Sequence, residues 1–163
     1  MSWTGRSEAV ACCGDDPGPV GPAETIARLL HDRNSEPFQE TFRREELQPR
    51  SKQNFSNVCG DADGFSTSRA DGLPDDEIRR LAAEQAALKP GRVSKGAILA
   101  IAGDLRQIRQ TGDAQGQVVY IYDDPKPNDP RHAVVRVGET VSRADFDDIR
   151  VKLKSEFKTS VSP

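Results

Sequence analysis

The sequence predicts an α+β domain: a small mixed sheet with a central strand–Pro-rich loop–strand unit at 117–138, packed by about three helices. Three observations carry this expectation. Val118–Tyr122 and His132–Val137 are short runs rich in β-branched and aromatic residues, the types that suit a pleated surface. Between them, Pro125, Pro127 and Pro130 fix φ and interrupt any ladder. The third is an amphipathic C-terminal stretch, where Phe146, Ile149, Leu153 and Phe157 share one helical face.

In chain order, residues 1–20 read as a flexible N-terminal arm carrying the single tryptophan, Trp3. A single domain is expected over 21–158. Its first helix should begin near Pro22, with Ile26, Leu29 and Leu30 at i, i+3, i+4. His31 then falls at the helix end, where an imidazolium would complement the dipole. Over 34–64, Phe38 and Phe42 stand one helical turn apart, and Glu45, Glu46 and Leu47 extend that turn to Pro49. Phe55 and Val58 are isolated apolar residues expected to pin a long loop.

Phe65–Arg69 lies between the turn signals Asp63-Gly64 and Asp71-Gly72 and reads as a strand, with Ser66 and Ser68 on one face and Thr67 and Arg69 on the other. A helix follows from Pro74, with Asp75, Asp76 and Glu77 in its first turn and Lys89-Pro90-Gly91 after its end. Residues 96–109 fit either one helix or a strand followed by a short helix. Strand then helix is preferred, because such a strand would pair with the central strand–loop–strand unit and bury both. At 123–130 the three prolines argue for a stiff connection and against a two-residue hairpin turn. Ser142 and Asp145 form an S-x-x-D cap for the last helix, and the tail 159–163 is expected to fray.

Composition excludes several function classes. The chain has 163 residues, a net charge of -3 and 35% hydrophobic residues. No basic footprint marks a nucleic-acid binder, although arginine outnumbers lysine 16 to 7. No apolar run approaches the roughly 18 residues of a membrane span, so no membrane partner is expected. Cys12, Cys13 and Cys59 are odd in number, two of them adjacent, which argues for reduced thiols and a cytoplasmic location. Asp61-Ala62-Asp63-Gly64 begins like a calcium loop, but Phe65 and Gly72 stand where oxygen ligands belong. The cysteines and histidines lack zinc-ligand spacing. No nucleotide-loop or nucleophile-elbow motif occurs. No metal or cofactor is therefore implied.

The polar residues left as candidates are Ser66, Arg69, Asp124 and His132, with Ser68 beside them. The order E-x-x-A-R-L-L-H at 24–31, G-F-S-x-x-R at 64–69, G-D-L-R at 103–106 and D-P-K-P-N-D-P-R-H-A at 124–133 resembles a family of small uncharacterised bacterial proteins. That resemblance covers roughly 22–138. It implies recurrent positions at Arg28, His31, Ser66, Arg69, Asp124, Pro130 and His132, and it attaches no activity.

The leading expectation is a non-enzymatic module that binds another protein, through the 34–64 loop and the Trp3 arm. The alternative is a small enzyme or toxin acting on a nucleotide-type substrate, with Arg69 holding phosphate, His132 as acid or base and Asp124 orienting it.

Overall fold

The computed structural model describes residues 7–9, 18–35, 41–49, 59–60 and 62–163. Trp3, Cys12, Cys13, Phe38, Phe55, Val58 and Asp61 lie outside these residues, and so do the readings that fall on them. The described elements are β1 (Thr25–His31), α1 (Arg44–Leu47), β2 (Phe65–Arg69), α2 (Asp75–Ala87), β3 (Ser94–Ile101), α3 (Ala102–Arg106), β4 (Val119–Asp123), β5 (His132–Val137), α4 (Arg143–Glu156) and β6 (Thr159–Val161). The six strands form one sheet in the order β4-β5-β2-β1-β3-β6. Every pairing is antiparallel.

The α+β class holds, with two corrections of detail. The sheet is antiparallel throughout rather than mixed, and the β4–β5 unit occupies one edge rather than the centre. Its connection also contains a tight turn. Lys126 and Asp129 exchange both backbone hydrogen bonds, at 2.9 and 3.1 Å, around Pro127-Asn128. Pro127 pre-sets φ for the second position of such a turn, while Pro125 and Pro130 flank the bridged pair.

The segment read as a first helix is instead β1. It pairs with β3 along its whole length and with β2 at Ile26 and Ala27. The spacing of Ile26, Leu29 and Leu30 also suits a strand covered on both faces, where apolar residues need not alternate. Tertiary pairing decided between the two.

One face of the sheet carries the main core. Ile26, Phe65, Val119, Ile121, Val135 and Val137 pack there against Leu105 of α3 and Phe146, Ile149 and Leu153 of α4. Each of these large side chains contributes about 1.5–3 kcal/mol by leaving water. The Ser142 hydroxyl accepts the Asp145 N–H at 3.2 Å, so the expected cap forms. On the opposite face, α2 sets Ile78 against Ala27 and Ala97, and Tyr120 stacks on Tyr122 farther along.

The C-terminal tail does not fray: Thr159–Val161 pair with Ala97–Leu99. Gly96 is the reason the strands can close there. A Cβ at Gly96 would lie 2.0 Å from the Val161 carbonyl oxygen, and its φ of +80° is open to glycine. The same place interrupts the β1–β3 register between Leu30 and His31. The extra residue there is Lys95 of β3, which has no partner in β1. At the other end of the chain, Glu8 pairs with Arg106 and accepts from Gln117 at 2.8 Å, and Val20 is buried in the core.

Candidate functional site

The β2–β5 register sets Ser68 opposite His132 and Ser66 opposite Val134. Residues paired across an antiparallel ladder share a face, so Ser66, Ser68 and His132 stand together on the α2 side of the sheet. His132 is 5% exposed and Asp124 fully buried. The Nδ1–H of His132 donates to the Asp124 carbonyl at 2.8 Å and to Asp124 Oδ2 at 3.1 Å. Both partners can only accept, which fixes the proton on Nδ1. Nε2 of the neutral ring then carries a lone pair, and the Ser66 hydroxyl lies 3.3 Å from it. Three of the sequence candidates therefore form one relay, Asp124–His132–Ser66.

Backbone bonds hold this relay. The Asp124 N–H donates to the His132 carbonyl at 3.1 Å, closing the loop at its base. The Gly60 N–H donates to Asp124 Oδ1 at 3.0 Å. Gly60 has a φ of +82° and packs against Pro125 and Lys126, where a Cβ would come within 3.1 Å of the Pro125 carbonyl oxygen. Cys59, next to it, is disulfide-bonded. That corrects the expectation of reduced thiols. An odd cysteine count does not prevent one pair from meeting in space.

Arg69 does not join the relay. It projects to the opposite face of β2, as the alternation of that strand requires. Its guanidinium donates to both Glu24 oxygens at 2.9 and 2.7 Å, to the carbonyls of Gly18 and Pro19 at 2.6 and 3.2 Å, and to Asp123 Oδ1 at 3.3 Å. Burial alone would raise the Glu24 carboxyl, but the Arg69 and Gly21 hydrogen bonds and nearby positive charge outweigh it and hold it below its ordinary range.

The relay opens onto a cleft of about 330 Å³. Its wall brings in residues far apart in the chain: Arg28, Leu29 and His31 from β1, Arg33 and Asn34 from the turn after it, Arg43 and Glu46 around α1, Gln85 from α2, Arg92 before β3, and Asp129. Both histidines of the chain line it. A second hollow of about 350 Å³ adjoins it, sharing Leu29, Ser66, Ser68, Gln85, Asp129 and His132, and continues to Leu81, Leu88, Lys126 and Asn128. Ser66 and His132 thus sit where an arginine-lined half meets a leucine-lined half.

Arg28 organises the charged half. It lies over the Phe65 ring at 4.1 Å and donates to the Ser66 carbonyl at 2.9 Å, to Thr41 at 3.1 Å and to Glu46 at 2.7 Å. Glu46 also accepts from Arg43 at 2.8 Å, so two guanidiniums share one carboxylate. Arg92 has no ion pair or side-chain hydrogen bond among the described residues.

His31 was read as a helix cap. In the structure it is the last residue of β1 and lines the cleft beside Leu29, two residues earlier on the same strand face. Its Nδ1 accepts the Arg33 N–H at 3.1 Å, which leaves the proton of the neutral ring on Nε2. Asn34 accepts the His31 N–H at 2.8 Å and donates to the Leu29 carbonyl at 3.2 Å, holding the turn. Burial, then the charges of Arg92 and Arg28, keep the His31 pKa below its ordinary value.

Sequence reasoning missed Arg43 and Arg92 as site residues, and named Arg28 and His31 only as recurrent positions of the resemblance. Besides that resemblance, the signal available for these two was a charged or ionisable residue interrupting the apolar run of β1. Among the described residues no three His, Cys, Asp or Glu side chains converge as metal ligands do, and no helix is long and apolar enough to cross a membrane. No family model, no curated protein and no solved structure matches this chain, so its function has to be argued from this geometry.

Proposed function

We propose that the protein is a small enzyme acting on an anionic, nucleotide-type ester, with Ser66 as nucleophile and His132 as its base. The Asp124–His132–Ser66 relay at the mouth of an arginine-lined cleft carries this reading. His132 Nε2 takes the Ser66 proton as Oγ attacks phosphorus. The Oγ–P bond forms and the bond to the leaving oxygen breaks. The His132 imidazolium gives that proton to the leaving oxygen. Water then attacks the phosphoryl group, His132 takes its proton, and the Oγ–P bond breaks as the proton returns to Ser66 Oγ. A base placed in this way contributes about 10²–10⁴-fold in rate.

The charge distribution supports the substrate class. A chain of net charge -3 gathers four arginines against Glu46 and Asp129 in this one cleft. The adjoining hollow, with Leu29, Leu81 and Leu88, suits the less polar body of the same substrate. In this reading Arg69 has no part, and the phosphate-holding role assigned to it passes to the cleft arginines. The Cys59 disulfide favours an oxidising compartment over the cytoplasm.

A fluorophosphonate probe tests the nucleophile without knowledge of the substrate. Ser66 should be labelled, as mapped by peptide mass spectrometry. His132→Ala should slow labelling by about 10²–10⁴-fold. An unlabelled Ser66, or equal labelling in His132→Ala, would remove the reaction.

A second reading is the non-enzymatic protein-binding module. It draws on the two bonds from His132 to Asp124, which lock the loop whether or not chemistry occurs. Its other supports, the Trp3 arm and much of the 34–64 segment, lie outside the described residues.

A further inference from the structure

We infer that the arginine-lined end of the cleft is an oxyanion subsite, in which Arg92 and the Nε2–H of His31 hold a phosphate-like group and His31 gains a proton as the subsite fills. This rests on the reading of the cleft as a substrate site, and it assigns a partner to groups that the Ser66 step does not use.

Three observations lead to it. The first is unmatched charge. Glu46 is already shared by Arg28 and Arg43, and Asp32 accepts the Val93 N–H at 3.0 Å. Arg92 is left without an anion among the described residues, and the Nε–H of Arg43 is buried there without an acceptor. The second is donor direction. The Arg33 N–H occupies Nδ1 of His31, so the remaining ring nitrogen is a donor, whereas His132 offers a lone pair. The two rings are thus held differently: Nδ1 of His132 is committed to Asp124, while Nε2 of His31 is the N–H left over for an anion.

The third is the field around His31. Arg28, Asp32 and Arg33 face it from β1 and the turn, Arg43 and Glu46 from the α1 side, Arg92 from the turn before β3, and Asp129 and His132 across the cleft. Burial and the two arginine charges disfavour the imidazolium. A dianion between Arg92 and His31 cancels the repulsive part of that field. His31 then becomes more basic, so anion binding takes up a proton and must tighten as pH falls.

Inorganic sulfate is the probe, because it does not titrate between pH 5 and 8. The full chain, with its disulfide intact, is titrated by calorimetry and by ring-nitrogen NMR. Sulfate should move the His31 resonances and bind about tenfold more tightly at pH 5.5 than at pH 8, the signature of less than one proton taken up per anion. Arg92→Ala should weaken binding about tenfold. His31→Gln should keep some binding and lose its pH dependence, while Lys158→Ala, on the far side of the sheet, should change neither.

Absence of binding at tens of millimolar sulfate, unaltered binding in Arg92→Ala, or a pH dependence that persists in His31→Gln would each overturn the inference. Its failure is separable from failure of the reaction. Sulfate binding as described with Ser66 unlabelled keeps the subsite and removes the nucleophile. Labelling of Ser66 with no sulfate binding keeps the nucleophile and removes the subsite.

Discussion

The two faces of β2 hold the same kinds of residue and put them to opposite uses. On one face Arg69 meets Glu24, Asp123 and two backbone carbonyls, so its donors are spoken for. On the other, Ser66 and His132 border a cleft where Arg92 has no counter-ion among the described residues. The matched cluster ties residues 18–24 to the end of β4. The unmatched one has capacity left for a ligand. An arginine is evidence for anion binding only when its partners have been counted, and Arg69 fails that count.

The largest expected effect breaks the matched side. Arg69→Met takes the guanidinium away from the buried Asp123 and the partly buried Glu24. It should cost about 3–5 kcal/mol in urea unfolding, the usual penalty for stranding a buried charge. Labelling of Ser66 per folded molecule should be unchanged. A variant as stable as the parent would show that the Arg69 cluster is no structural clamp.

A smaller effect is expected at His132, where the two uses overlap. His132→Ala removes the bonds to Asp124 and should lower stability by about 1–3 kcal/mol, read from thermal melts. The prolines limit the loss, because the loop has little freedom to regain. An unchanged melting temperature, combined with lost labelling, would assign His132 to chemistry alone.

The smallest effect separates the faces by pH. The folded-state pKa of His31 is depressed, so the unfolded chain takes the proton first. The stability tied to a neutral His31 is full above its ordinary value of about 6.5 and falls as pH drops below it. His31→Gln should flatten the unfolding free energy over that window. Saturating sulfate should flatten it in the parent protein as well, by favouring the imidazolium in the folded state. A slope that survives both changes would belong to another group.

Much of the fold was legible because local patterns agreed with tertiary demands. The acidic first turn of α2 and the Ser142 cap of α4 are local devices that work in any context. The strand-then-helix reading of 96–109 also holds, as β3 followed by α3, but β3 pairs with β1 and β6 rather than with the β4–β5 unit. β1 was misread because a strand buried on both faces shows no period of two. β6 was missed because three residues carry too little signal, and their partner site depends on the absent Cβ of Gly96.

The sequence by itself determined that Ser66, Asp124 and His132 are polar residues at strand ends and turns. It also placed Arg69 on the face opposite Ser66, since alternation is a property of any strand. Which face His132 joins depends on the β2–β5 register, and that register belongs to the assembled sheet. His31 reaches the cleft from the end of β1, and Arg92 from the turn after α2. Only the tertiary structure could bring these together, because the shared cleft of residues 31, 92 and 132 is set by how strands pair across the sheet, and no local spacing encodes it.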